Sequence, residues 1–201
     1  MQTSNEDGRR AQITQLHRWV TLEILKLIEG LYTNLDDGLF ELAHRAEDDL
    51  DRGKLFDLAR VLHDGKANVL RDFESRLDHA GQRWHSPCEP QTDSSVDVRE
   101  RSQLMVQRCE GHLRTVLQSI AARASFLTRR QHHPDDLPFG PQSITNEFLI
   151  ALDSSSPGEV GQKAACDLFS RFVLDRLGTV YGRCNTILHA PAASEIGRAH
   201  V

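Results

Sequence analysis

Histidine and carboxylate side chains come together at residues 132–136, which read HHPDD. Imidazole and carboxylate groups both bind divalent metal ions, so this segment is the one most suited to a metal site. Adjacent histidines in a loop rarely converge on one ion without further ligands, which favours a solvated loop. His44 and His63 lack the two-histidine spacing of a helical zinc site and are interpreted as helix surface. We therefore expect neither a bound metal ion nor a cofactor.

The cysteines lack a catalytic or metal-binding pattern. The chain has four, and none is separated from the next by the two residues of a zinc knuckle or redox motif: Cys88, Cys109, Cys166 and Cys184. The last three lie within apolar helical patterns, where a reduced and buried thiol is expected rather than a structural disulfide. Cys88 lies in a loop near His85, and we interpret the two as a chance pair rather than as a nucleophile and its base.

Other signals of catalysis are weak as well. The sequence contains no Gly-x-Ser-x-Gly nucleophile elbow. The acidic residues at 36–37 and 47–51 are better explained as complements of a helix dipole and as a solvated face than as an acid-base pair. We therefore assign no catalytic residues, and an enzyme is the less favoured interpretation.

Residues 136–148 (DLPFGPQSITNEF) place two prolines and a glycine directly before an apolar run. A phosphate-binding loop would need spaced glycines, a lysine followed by a hydroxyl residue, and a preceding strand, and this stretch has none of these. The start of a helix explains it better, because proline at the first helical position loses no hydrogen bond and Gly140 is a tolerable cap. The sequence therefore predicts a helix that begins at Pro141.

The elements that would position these residues are helices. Apolar residues recur with a period near 3.6, and no stretch alternates convincingly with period two. The first stripe runs from Ile13 to Leu31, Asn34 is placed to cap a second helix with its side chain, and a third pattern runs from Leu55 to Leu77. The sequence predicts an all-α fold, a multi-helix bundle of about five or six helices with no sheet.

Three local signals refine this prediction. Gly65 allows a kink or break in the third helix, at a cost of about 1 kcal/mol relative to alanine. Arg129 and Arg130 suit the negative end of a fourth helix. Residues Ser156 to Glu159 form a capping box with proline at the first helical position, which predicts one final helix carrying apolar residues from Val160 to Leu188.

Composition limits the classes of protein to consider. The chain has 201 residues, 39% of them hydrophobic, and a formal net charge of −5. This length can bury a real core, and the negative charge disfavours nucleic-acid binding. No apolar run approaches the roughly 20 residues that cross a bilayer. The first ten residues, MQTSNEDGRR, lack the pattern of a signal peptide, so we expect a cytoplasmic protein.

The predicted organisation has five parts. They are a disordered N-terminus at 1–9, an N-terminal helical segment at 10–84, a proline- and serine-rich linker at 85–96, a C-terminal helical segment at 97–190 that forms one bundle with the first, and a disordered tail at 191–201.

Two segments together resemble a known family. The first, at 36–46, reads DDGLFELAHRA and is followed by Leu55, Phe56 and Phe73; the second, at 137–148, reads LPFGPQSITNEF and is followed by LFSRFVL at 168–174 and by Leu177, Tyr181 and Asn185. In order and spacing they resemble the N-terminal part of the bacterial family of domain of unknown function 1631. Phe139 departs from the pattern, since the family more often has a small aliphatic residue there, and the linker here is short and rich in proline.

The resemblance covers most of residues 31–188 and implies a protein longer than this chain. Members are sometimes labelled thymidine phosphorylase, but the chain offers no phosphate-binding loop to match that label. The family has no established catalytic residues that could be transferred to this sequence. What the resemblance implies is therefore a fold and a family, not an activity.

Three functions remain open at this point. The favoured one is a non-catalytic helical interaction or regulatory module, which docks a protein partner or the remainder of its own chain. The second is an enzyme fragment whose active site lies in sequence outside this chain. The third is a nucleotide or second-messenger receptor that uses arginines such as Arg129 and Arg130 to bind phosphate.

The last seven residues, EIGRAHV at 195–201, match what one reading frame of a common sequencing-adapter oligonucleotide would encode. We interpret them as a non-native artefact that replaces further native sequence. A truncated final helix should then expose part of its apolar surface. The residues expected to be exposed are Phe172, Val180, Tyr181 and Ile187.

Overall fold

The structure, a computed structural model, describes residues 2–46, 49–82 and 96–189. Seven α-helices occupy most of these ranges: α1 (Gln2–Thr33), α2 (Leu35–Arg45), α3 (Asp49–Gln82), α4 (Val96–Thr128), α5 (Pro141–Asp153), α6 (Gly158–Phe172) and α7 (Leu177–His189). Two 3-10 turns, Pro134–Asp136 and Leu174–Arg176, lie between helices. The described residues contain no strand, and the predicted all-α bundle without a sheet is confirmed.

A single hydrophobic cluster includes buried residues from all seven helices. Its largest fully buried side chains are Tyr181, Phe73, Phe139, Phe148 and Phe169. The predicted stripe on α1 is buried at Ile13, Leu16, Val20, Ile24, Ile28 and Leu31. Both halves of the sequence therefore contribute to one core.

Asn34 alone separates α1 from α2, but it does not cap α2 in the way we predicted. Its side chain makes no capping hydrogen bond to α2; instead its Nδ2 donates to the carbonyl oxygen of Gly30 at 2.7 Å. The reason is the short junction, which holds the side chain against the last turn of α1. The unpaired carbonyls at that end of α1 need donors.

α3 continues through Gly65, so the possible break at that residue is absent. A Cβ atom at Gly65 would lie 3.0 Å from the Cβ of Ser155. The glycine thus serves close packing of α3 against the connection between α5 and α6, and it leaves the helix uninterrupted.

Two helix starts were predicted from proline residues, and the structure confirms only the first. α5 begins at Pro141 with Gly140 in the cap position, as predicted. The predicted capping box of α6 is wrong, because α6 begins at Gly158 and no side-chain capping hydrogen bond forms. Ser156 has a φ of 48° and its amide donates to Asp153, so it closes the end of α5 in a left-handed conformation. A capping serine would need the extended backbone, which the short connection does not allow.

The single final helix that we predicted is divided in two. α6 ends at Phe172, and a 3-10 turn at Leu174–Arg176 leads into α7. The amide of Val173 still donates to Phe169 at 2.9 Å, whereas that of Arg176 donates only three residues back, to Val173 at 3.0 Å. This tighter turn redirects the chain, and α7 then packs against both α1 and α4.

The predicted exposed surface of the last helix is wrong for three of its four residues. Phe172, Val180 and Tyr181 are 8%, 5% and 0% exposed, and only Ile187 is partly exposed. The redirected α7 is covered by α1 and α4. Phe172 is also flanked by the guanidinium groups of Arg171 and Arg176, at 5.3 and 5.5 Å from its ring centroid. The chain therefore supplies its own cover for this surface.

Several predictions concern residues that the structure describes only in part. Helix α1 begins at Gln2, within the segment for which disorder was predicted. Helix α4 begins at Val96, the last residue of the predicted linker. The rest of that linker with Cys88 and His85, acidic residues 47–48, and the tail at 190–201 lie outside the described residues. In the described ranges, none of the helices combines the length and the hydropathy needed to cross a membrane.

Candidate interaction groove

An open groove runs between α1 and α3. It has a volume of about 450 Å³. Five residues of α1 and four of α3 line it: Thr14, His17, Arg18, Thr21, Leu22, Glu74, Asp78, Gly81 and Gln82. We call it the α1–α3 groove.

The two helices that form the groove run antiparallel. Near the start of α1, the side chain of His17 lies against Gly81, close to the end of α3. Near the end of α1, Tyr32 lies under the ammonium group of Lys66, which is 5.6 Å from the ring centroid. The first contact lies within the groove, and the second lies beyond its Leu22 end.

The most buried residues of the groove are small or polar. A Cβ atom at Gly81 would overlap the imidazole ring of His17, so a larger residue there would require that ring to move. His17 and Thr21 are 8% and 5% exposed and form the floor, with Nε2 and Oγ1 3.5 Å apart. The imidazole of His17 reaches Gly81 on α3, and the hydroxyl of Thr21 lies beside that ring, so the floor is polar rather than filled by large apolar side chains.

Charged groups lie on both walls of the groove. Arg18 is exposed on the α1 wall, and Glu74 and Asp78 are exposed one turn apart on the α3 wall. Among the residues that the structure describes, none of these three takes part in an ion pair. Leu22 adds an apolar edge that is 49% exposed. The groove thus offers charges of both signs together with one accessible aliphatic side chain.

The segment at 132–136, our best metal candidate, does not assemble a ligand set. The Nδ1 of His133 lies 3.2 Å from a carboxylate oxygen of Asp135, whereas the Nε2 of His132 lies 2.8 Å from the hydroxyl of Thr128. Burial, with Arg130 nearby, lowers the pKa of His132. The described ranges contain no group of three or more metal-ligating side chains.

A second, smaller cavity of about 220 Å³ lies beside this segment. Residues of α4, the 3-10 turn and the start of α5 line it, among them Arg114, His133 and Gly140. The stretch that we weighed as a phosphate loop is held by the core instead. Gly140 donates to the carbonyl of Leu137 at 2.8 Å, and the hydroxyl of Tyr181 donates to the carbonyl of Phe139 at 2.8 Å. Its observed role is to begin a helix and to accept a bond from α7.

The described cysteines are free thiols in protected environments. Cys109 and Cys184 are buried and Cys166 is partly exposed. Burial raises the pKa of Cys109 and of Cys166 to about 11, and that of Cys184 to about 12. All three thiols are therefore protonated near neutral pH, which suits packing rather than nucleophilic chemistry.

The two arginines considered for phosphate binding lie at the end of α4. Arg129 has a φ of 56° and is the residue at which the helix turns into the following loop. Both Arg129 and Arg130 are exposed, and neither lines the groove or the smaller cavity. Arg129 and Arg130 therefore lie outside both cavities described above.

The fold and the groove define a class: an all-helical bundle with one core and an open, charged groove between two of its long helices. The family model described as Protein of unknown function (DUF1631) N-terminal domain matches residues 9–191, and the chain belongs to this family. The resemblance found in the sequence is thereby confirmed. The label thymidine phosphorylase receives no support from this match. Comparison with curated proteins and with solved structures gives no match.

The α1–α3 groove was not predicted from the sequence. A usable signal was present, because His17 and Thr21 interrupt the apolar stripe of α1 one turn apart, on its buried side. Buried polar residues in an otherwise apolar stripe are uncommon, so they single out this part of α1. The partner residue Gly81 lies 64 positions away from His17 in the sequence, so their contact follows only from the tertiary structure.

Proposed function

We propose that this domain is a non-catalytic helical interaction module that docks a segment of a protein partner in the α1–α3 groove. The observation that carries the proposal is a groove of about 450 Å³ that keeps Leu22 half exposed between charged walls. A groove between helices that combines an accessible aliphatic side chain with charged walls is suited to an amphipathic helix, which presents both kinds of side chain.

The walls of the groove are suited to docking because they are fixed by the core. Ile13, Leu16 and Val20 on α1, and Phe73 and Leu77 on α3, are buried in the core next to the residues that line the groove. A preformed site lowers the ordering cost of association, since its own side chains and backbone need little rearrangement. A partner that enters the groove therefore loses less binding free energy than it would on a loop surface.

The dimensions favour a short helix as the docked segment. Residues 14–22 span about 12 Å of α1, because each helical residue adds about 1.5 Å along the axis. Two turns of an amphipathic helix would cover this length, and recognition of such helices in grooves between helices recurs in proteins.

The proposal includes a reducing, cytoplasmic setting, which is supported by three free thiols in the described residues.

The test is site-specific photo-crosslinking in the cell that naturally makes the protein. Leu22 is replaced by p-benzoylphenylalanine, and matched variants carry the same group at Phe40 on α2 or Leu104 on α4, which are 55% and 66% exposed. We expect a discrete crosslinked product from position 22 that both control positions lack, and mass spectrometry should map it to one peptide segment. Equal crosslinking at the three positions, or none at position 22, would refute the proposal.

A further inference from the structure

We propose that the occupant of the α1–α3 groove is an amphipathic helix with two basic side chains one turn apart, which meet Glu74 and Asp78, and an aliphatic side chain that packs on Leu22. This inference rests on the proposed function and specifies the chemistry of the partner. It goes beyond it because the groove could in principle admit a helix of any charge.

The α3 wall presents two carboxylates to the groove. Glu74 and Asp78 are four residues apart, so their carboxylates project from the same face of α3 about 6 Å apart along the axis. Both are exposed, and in the described part of the chain neither has a cationic partner within ion-pair distance. A docked helix with lysine or arginine at the same four-residue spacing would pair with both. Phosphate-rich partners such as nucleic acid would be repelled by this wall.

The α1 wall contributes the aliphatic contact, Leu22. The antiparallel contacts His17–Gly81 and Tyr32–Lys66 set one register, and in that register Leu22 is level with the interval between Glu74 and Asp78. The aliphatic contact therefore lies between the two charged contacts, as on one face of an amphipathic helix. Leu22 is the apolar anchor in this arrangement, with the ion pairs around it.

Arg18 limits the charge of the side of the docked helix that faces α1. It lies one turn before Leu22 on α1 and, in the same register, near the Asp78 end of the groove. A third basic residue at that end would be repelled by its guanidinium group, whereas an acidic residue would pair with it. The two walls together therefore favour a helix that is basic toward α3 and neutral or acidic toward Arg18.

The test measures binding of two synthetic probes to the 201-residue chain by fluorescence anisotropy. Both probes are labelled, helix-stapled peptides of about 14 residues, long enough for four turns. They share one leucine stripe, and one carries two lysines four residues apart where the other carries two glutamates. Three proteins are compared: the natural sequence, the double variant E74K/D78K, and the control D57K/D64K, which makes the same change of charge at two exposed α3 positions outside the groove.

We expect the lysine peptide to bind the natural protein and the control, and E74K/D78K to bind it about fivefold more weakly or worse. E74K/D78K should in turn gain affinity for the glutamate peptide, and binding of the lysine peptide should weaken as salt is added. Circular dichroism should show the same helix content and melting for both double variants.

Three results would overturn the inference. They are equal affinity for the two peptides, equal loss in E74K/D78K and D57K/D64K, and no binding of the lysine peptide at concentrations up to about 1 mM, the weakest range of specific association. The crosslinking experiment separates this failure from failure of the proposed function. A position-specific crosslink from Leu22, together with any of these three results, would leave an interaction module whose partner has a different charge pattern.

Discussion

Two contacts between helices in this bundle differ in the size of the side chains that fill them. Beside α5, the rings of Phe148 and Phe169 stack with centroids 4.1 Å apart, and Phe73 meets Phe148 edge-on at 6.4 Å. We call these three rings the aromatic cluster. Between α1 and α3, His17 lies against Gly81 and a groove of about 450 Å³ stays open. A few positions on each helix face, rather than the general apolar pattern, decide whether a helix pair closes or leaves a groove.

The closed and open regions also differ in the polar groups that they contain. The hydroxyl of Tyr181 is buried in the closed region, where it donates to the carbonyl of Phe139, and desolvation raises its pKa well above the ordinary value. Glu74 and Asp78 lie in the open region and remain exposed to water. The first kind of group stabilises the fold, whereas the second kind is available to a partner.

The largest effect should come from emptying the aromatic cluster. Replacement of Phe148 by alanine removes both ring contacts and leaves a cavity, so we expect a loss of about 3–5 kcal/mol in the free energy of unfolding. Urea unfolding followed by circular dichroism measures it. The control Phe40→Ala removes a ring that is 55% exposed and should cost less than about 1 kcal/mol. Similar losses in the two variants would show that the cluster is not the closed part of the core.

A smaller effect is expected from the hydrogen bond that joins α7 to the loop before α5. Tyr181→Phe keeps the ring but leaves the buried carbonyl of Phe139 without this donor, which should cost about 1–3 kcal/mol. Tyr32→Phe is the matched control, since the structure shows no hydrogen bond from its hydroxyl to a described residue. The same unfolding measurement applies, and a change below that of the control would contradict the assigned role.

The effect of alanine at Gly81 on stability should change sign when His17 is removed. Gly81→Ala should destabilise the protein by about 1 kcal/mol, because overlap with His17 outweighs the gain in helix propensity. In a His17→Ala background the same change should stabilise by about 0.5–1 kcal/mol. Gly111→Ala, where a new Cβ meets nothing within 4 Å, should stabilise in either background. The prediction fails if Gly81→Ala has the same sign with and without His17.

The smallest effect on stability is expected at the α3 wall. Glu74→Gln and Asp78→Asn together should change the free energy of unfolding by less than about 0.5 kcal/mol, because both side chains are exposed and have no ion pair among the described residues. Thermal and urea unfolding check this expectation. A loss above about 1 kcal/mol would mean that the two carboxylates support the fold, which would weaken their assignment to a partner.

Sequence patterns predicted the helices correctly where the structure depends on residues within the same helix. The stripe from Ile13 to Leu31 is buried as its period indicated, and Pro141 begins α5 because its ring geometry already fits a first turn. The family was also recognisable, since its residues lie in two contiguous segments. These features depend on neighbours within a few turns of the same helix.

The predictions were wrong where contacts with residues outside the same helix determine the structure. Asn34 and Ser156 have the side chains of caps, but short connections direct them to the end of the preceding helix. The periodic pattern continues through Val173, although the chain turns there so that α7 reaches α1 and α4. The α1–α3 groove depends on the meeting of His17 and Gly81, which no local pattern contains.

The junction at Asn34 has a mechanical consequence. Its amide donates to Gly30 and Leu31, its side chain donates to Gly30, and its carbonyl accepts from Gly38, so one residue is bonded to the helices on both sides. The angle between α1 and α2 is therefore held by bonds to one residue, and Glu41 on α2 also pairs with Arg171 on α6 at 2.5 Å. We therefore expect a tilt of α2 to be transmitted first to the last turn of α1, which Asn34 holds through Gly30 and Leu31.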